Sequence, residues 1–208
     1  GRVLQKKTGF VLFNPILVGV AICIAVLKIF DIDYEAYNHG AQFVSYFLNI
    51  ATISLAILLY EQLTVLKKNF LAIIIGISSG VLASVASVLA LSIMFGFTHQ
   101  EFVTMLPHSI TTAMGMALSE EYEGYVSVTV AGIVITGILG NVIAVPALKL
   151  FRITDPVAKG IAIGTSSHAL GTAKALEIGE VEGAMSGLSI AVAGLITVIA
   201  MAVFSGIY

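Results

Sequence analysis

Four stretches of the chain, 10–30, 70–97, 125–148 and 183–208, are almost wholly apolar. Each reaches the length of about 20 residues that a helix needs to cross a hydrocarbon layer. A fifth, 40–60, is uncharged but carries Gln42, Ser45, Asn49, Thr52 and Ser54. Two more are weaker. Stretch 102–119 is short and holds Pro107 and His108, and 157–177 is interrupted by Gly160, Gly164 and Gly171 and carries Lys159, His168 and Lys174.

The charges between these stretches alternate in sign. Arg2, Lys6 and Lys7 precede the first span, and Asp31, Asp33 and Glu35 follow it. Lys67 and Lys68 precede the 70–97 span, and His99 and Glu101 follow it. Glu120, Glu121 and Glu123 precede the 125–148 span, and Lys149, Arg152 and Lys159 follow it. Glu177, Glu180 and Glu182 precede the last span. Basic loops stay in the cytoplasm, so the acidic ones fall outside. Both flanks of 102–119 then lie outside, and this segment is expected to enter the membrane and return, with its backbone covered by protein or water.

The expected fold class is an all-α polytopic membrane protein. It has about six spanning helices plus a re-entrant or broken segment, grouped three and three as an inverted-topology repeat. The boundaries are a cytoplasmic lead at 1–9, a first repeat at 10–97, external loops with the re-entrant segment at 98–124, and a second repeat at 125–208. The chain starts at Gly1 without a methionine, which reads as an internal start and leaves room for a helix upstream.

Composition agrees. Apolar residues make up 58% and charged residues 11%, where a soluble domain carries about 25% charged residues. The net charge of −2 and the lack of a basic tract with aromatics speak against nucleic acid. Cys23 is the single cysteine and sits in an apolar run, so it makes no intrachain disulfide. Metal-ligand spacing, a phosphate loop and a catalytic carboxylate pair are all missing, so neither an enzyme nor a cofactor is expected. Gly76-Ile77-Ser78-Ser79-Gly80 matches G-x-S-x-G, but lies inside a long apolar helix rather than a strand-to-helix elbow. Gly76 and Gly80 read as a close helix contact.

Two segments carry candidate chemistry. In 164–174, glycines that include Gly171 let the helix unwind and free backbone N–H groups for an anion. Thr165, Ser166, Ser167 and Thr172 add hydroxyls, and His168 and Lys174 add charge. The alternative is that small residues only pack helices closely and that Lys174 reaches to the interface. In 107–112, Pro107 breaks the ladder and Ser109, Thr111 and Thr112 offer hydroxyls to ligand or backbone. His108 titrates near neutral pH and would couple proton movement to transport, or it is an interfacial histidine. Asn14 beside Pro15, and Asn49 with Thr52, either bind solute or bridge helices; Asn141 with Pro146 is a similar pair.

The runs Leu106-Pro107-His108-Ser109-Ile110-Thr111-Thr112 and Ser167-His168-Ala169-Leu170-Gly171-Thr172-Ala173-Lys174-Ala175 resemble two motifs of the LrgB/CidB family of bacterial membrane proteins. Ile135-Thr136-Gly137-Ile138-Leu139-Gly140, Phe13-Asn14-Pro15-Ile16-Leu17 and Leu59-Tyr60 extend the likeness over essentially the whole chain. This sequence departs from the family pattern in having His108 for lysine, Lys174 for arginine and Ala169 for glycine. The resemblance implies two functions. One is an antiholin-like or holin-like protein that works with a small LrgA/CidA-type membrane partner and influences murein hydrolase activity and autolysis. The other is transport of small monocarboxylates, since plastid relatives carry glycolate and glycerate and bacterial pairs are linked to pyruvate. Broken helices with convergent polar groups fit transport better. A homodimer in the bacterial cell membrane is expected, because closed twofold assemblies are the commonest.

Overall fold

The computed structural model describes residues 15–208, apart from the side chains of 15–17, 45, 48, 49, 51–56, 58 and 59. Asn14 therefore lies outside the described residues, as do the side chains of Asn49 and Thr52. The described residues form eight helices and no strand. They are α1 (Pro15–Ile29), α2 (Tyr34–Glu61), α3 (Leu63–Phe95), α4 (His99–Met105), α5 (Thr112–Glu121), α6 (Val126–Leu150), α7 (Pro156–Ile178) and α8 (Glu180–Phe204). The chain divides into two compact units between Leu55 and Ala56. In the first, α1 turns into α2 through Asp31, which takes a left-handed φ of 48°. The Cys23 thiol lies 3.8 Å from the Tyr37 hydroxyl across that turn.

In the second unit, α3, α6 and α8 are long and apolar enough to cross a membrane. At 1.5 Å per residue, the 33 residues of α3 reach about 50 Å. Only about a third of each apolar stretch is buried within the protein. The rest, including Leu71, Ile75, Leu82, Ile93, Leu195 and Ile199, points outwards. Side chains of this kind would be costly in water and are neutral in lipid. The buried stripe of α3, Ile73, Ile77, Val81, Val85 and Val88, recurs every three or four residues. It packs with Phe102, Leu106, Ile110, Met185 and Met201 into one core.

Small residues let the helices close up where lipid offers no hydrophobic drive. A Cβ on Gly80 would stand 2.7 Å from the Thr165 methyl, and one on Gly160 would stand 2.6 Å from the Glu182 carbonyl oxygen. Tyr208 donates its hydroxyl to the Phe97 carbonyl at 2.6 Å, fixing the end of α8 beside the end of α3.

Two segments double back instead of crossing. The first is α4–α5. Thr98 and Glu101 start α4 with a reciprocal capping box, and α4 ends before Pro107. The return is held by the Gln100 amide donating to the Glu123 carbonyl at 2.8 Å. Farther in, Thr129 Oγ1 lies 2.8 Å from the Thr104 carbonyl and 2.7 Å from Ser119 Oγ. Residues 98 and 124 thus sit at the same end, as expected for a segment flanked by acidic loops.

The second is α7, and here the expectation of a crossing at 157–177 is corrected. His168 has φ 41° and ψ −141°, outside any helix. A Cβ on Gly171 would stand 3.0 Å from the Ile163 side chain, eight residues earlier. An unbroken helix would separate those positions by about 12 Å. Gly160 at the start of α7 packs on Glu182, and Leu176 near its end packs on Gly183. Both limbs therefore meet the first turn of α8, and the tip is at His168. Each limb spans about 15–18 Å, too short to cross about 30 Å of hydrocarbon.

One further expectation changes with this. The sign alternation places Lys159 inside and Glu177, Glu180 and Glu182 outside. Lys159 Nζ lies 3.7 Å from Glu182 Oε1, so the basic and acidic residues around α7 share one end. The hairpin of α4–α5 starts from the end where α3 finishes, and that of α7 from the end where α3 begins. The two enter from opposite ends.

Candidate functional site

The hairpin tips converge on α6. A Cβ on Gly132 would stand 4.0 Å from Cβ of His108, and one on Gly137 would stand 2.6 Å from Cε1 of His168. His168 Nε2 lies 2.9 Å from the Ile133 carbonyl oxygen. A carbonyl only accepts, so Nε2 carries the proton and donates, and in the neutral ring Nδ1 is then the acceptor. His108 has the opposite tautomer: its Nδ1 donates to the Met105 carbonyl at 2.9 Å, which leaves Nε2 as an acceptor.

Polar side chains also bond the carbonyls that open the second limb of α7. Asn141 Nδ2 donates to the Leu170 carbonyl at 2.8 Å. Thr172 Oγ1 lies 3.0 Å from the His168 carbonyl and 2.7 Å from Ser186 Oγ. Gly171 gives room for the return, packing on Ile163 and Ser167. Gly140 does the same on α6, where any Cβ would clash with Ser167. The second limb starts a fresh helix at 169, and its first N–H groups face the tip.

A cavity of about 1050 Å³ runs between α3 and the first limb of α7 and reaches the α4–α5 tip. Its polar walls include Ser84, His108, Ser109, Thr165 and Ser166. Ser84 Oγ stands 3.5 Å from His108 Nε2 and 3.5 Å from Ser109 Oγ. Thr165 Oγ1 is buried without a hydrogen-bond partner. Ser166 and Ser167 hydroxyls lie 3.0 Å apart. Ser167 faces a second cavity of about 420 Å³ against α6, lined also by Thr136, Gly140 and Ser166.

Most of the residues singled out at 107–112 and 164–174 thus gather at the two tips. Pro107 is buried at the first tip, where its carbonyl accepts from the Ile110 N–H at 3.4 Å. Thr111 is the N-cap of α5 without using its side chain as a cap, and Thr112 begins that helix. Lys174 stands apart. Its ammonium pairs with Glu177 Oε2 at 2.7 Å, and neither cavity includes it. No cluster of three metal-binding side chains occurs among the described residues.

Sequence reasoning missed Ser84, which lies inside a strongly apolar helix. Its signal was the i+4 series Gly76, Gly80, Ser84, a face of small residues. Ser79 and Ser87 spend their hydroxyls on their own helix, on the Gly76 and Ala83 carbonyls at 2.9 and 2.6 Å. Ser84 does not.

Comparison with known proteins identifies a single family. Residues 1–207 match the LrgB-like family. The antiholin-like protein LrgB of Bacillus subtilis (strain 168) is 38% identical, over 98% of this chain and 89% of its own length. Proteins of the same name from Bacillus mycoides (strain KBAB4) and Bacillus cereus (strain B4264) are each 37% identical over the same shares. No solved structure matches.

Proposed function

The chain belongs to the LrgB-like family, and from that premise we propose that it carries small monocarboxylates of the pyruvate, glycolate and glycerate kind across a bacterial cell membrane. The observation that supports this reading is the meeting of two hairpin tips that enter from opposite ends. Inverted units with broken helices at the midplane recur in secondary transporters. Hydroxyls of Ser109, Thr165 and Ser166, with the N–H groups that open the second limb of α7, suit a carboxylate. His108 and His168 are the titratable groups at the tips and would couple the solute to a proton. An effect on autolysis would follow from altered carboxylate balance.

The relatives' name, antiholin-like protein, favours a second reading: a non-transporting, antiholin-like regulator of murein hydrolase activity or export. In that reading an LrgA/CidA-type partner and homodimer contacts would carry the function, and the tips would only pack. Purified protein in proteoliposomes separates the two. The carrier gives saturable uptake of labelled pyruvate, glycolate or glycerate that His168→Ala abolishes. The regulator gives no saturable uptake and tolerates the substitution, and a holin-like pore leaks dye without selectivity.

A further inference from the structure

Two polar atoms of the groove have unspent capacity of defined polarity. In the neutral ring, the proton-free half of any coupling cycle, His108 Nε2 is an acceptor, because Nδ1 is committed as donor to the Met105 carbonyl. The Ser84 hydroxyl is not bonded back onto its own helix, and its contacts to His108 and Ser109 are both 3.5 Å long. That length is at the outer limit for hydrogen bonds to a hydroxyl oxygen, and a gap of this kind is where an intervening oxygen fits. An oxygen about 2.8 Å from each atom sits at the apex of a feasible triangle. It would receive the Ser84 proton and give its own proton to His108.

We propose that Ser84 Oγ and His108 Nε2 form an α-oxygen subsite that favours 2-hydroxy acids over 2-oxo acids of the same carbon skeleton. The inference rests on the carrier reading and deepens it. A 2-hydroxyl both donates and accepts, so it satisfies both side chains at once. A 2-oxo oxygen has no proton and sets its lone pair against that of Nε2, leaving a half-buried acceptor unpaired. One unmade hydrogen bond of this sort is worth roughly tenfold in affinity. A lysine in place of His108 turns the acceptor into a donor and removes the preference.

The test uses the full chain in proteoliposomes with radiolabelled lactate and pyruvate, matched in carbon number, and propionate, which lacks the α-oxygen. Lactate is expected to exceed pyruvate in uptake efficiency by roughly tenfold. His108→Lys brings the ratio to one or below, and Ser84→Ala narrows it. A ratio near one in the unmodified protein, or one unchanged by both His108→Lys and Ser84→Ala, overturns the subsite and leaves the carrier standing. No uptake of any of the three acids overturns both.

Discussion

Gly137 of α6 lies against the imidazole of His168 so closely that a methyl there would stand 2.6 Å from Cε1 and 2.7 Å from Nε2. The ring cannot step aside without giving up its bond to the Ile133 carbonyl. Gly137→Ala is therefore expected to destabilise the protein by about 1–3 kcal/mol, the usual cost of overpacking, and to abolish uptake. Gly132→Ala is the control, because its nearest neighbours begin at 3.8 Å. It should shift the detergent melting temperature little. Equal effects of the two substitutions would mean that the His168 seat is not specific.

The doubled-back course of α7 makes a topological prediction. Single cysteines at Lys68 and Glu180 should react with impermeant reagent from one side of the membrane, and one at Glu121 from the other. A crossing helix at 157–177 would place Lys68 and Glu180 on opposite sides. Labelling in intact cells and in inverted vesicles reads the difference directly.

How far the sequence disclosed this arrangement depends on what each element needs. The apolar runs of α3, α6 and α8 announce themselves, because length and lack of charge suffice. The α4–α5 return was readable from Pro107 and the acidic residues on both flanks. The α7 return was not, since glycines and a lone histidine suit a weak crossing equally well. What distinguishes the two is contact between residues far apart in sequence, such as Gly160 and Leu176 with the first turn of α8. The sign alternation misled for a related reason, because Lys159 and Glu182 partner across helices instead of marking opposite sides. Lys174 belongs to the same run by sequence, with an interfacial position as its alternative, and it pairs with Glu177 and lines neither cavity.

The cap of α4 gives a pH-dependent outcome. The Thr98 N–H donates to Glu101 Oε2 at 2.7 Å and its hydroxyl donates at 2.8 Å. These bonds hold the exposed Glu101 carboxyl below its ordinary pKa. A depressed carboxylate contributes stability that is present above its unfolded pKa and lost as pH falls through the folded one. The melting temperature of Glu101→Gln should therefore lie below that of the unmodified protein at neutral pH. The gap should close on acidification below the ordinary carboxylate range. A gap independent of pH would show that the carboxylate charge plays no part in the cap.

The base of the α7 hairpin is tied to α8 through Lys159 and Glu182, whose side chains are 24% and 10% exposed. At 3.7 Å the pair is long, but Glu182 is buried enough that losing its partner leaves a poorly solvated charge. Lys159→Met alone should therefore cost more than Lys159→Met combined with Glu182→Leu, which removes both charges and keeps apolar volume. A double-mutant cycle on thermal stability should return a coupling of about 1 kcal/mol, within the range for directly interacting side chains. The same cycle bears on transport, because the pair fixes where the first limb of α7 starts, about two turns below Thr165 and Ser166. If the limb is a rigid support for the tip, the single variants should weaken uptake and the double variant should recover much of it. A zero coupling with unchanged uptake in all variants would mean that the small-residue contacts of Gly160 and Gly164 with α8 hold the hairpin by themselves.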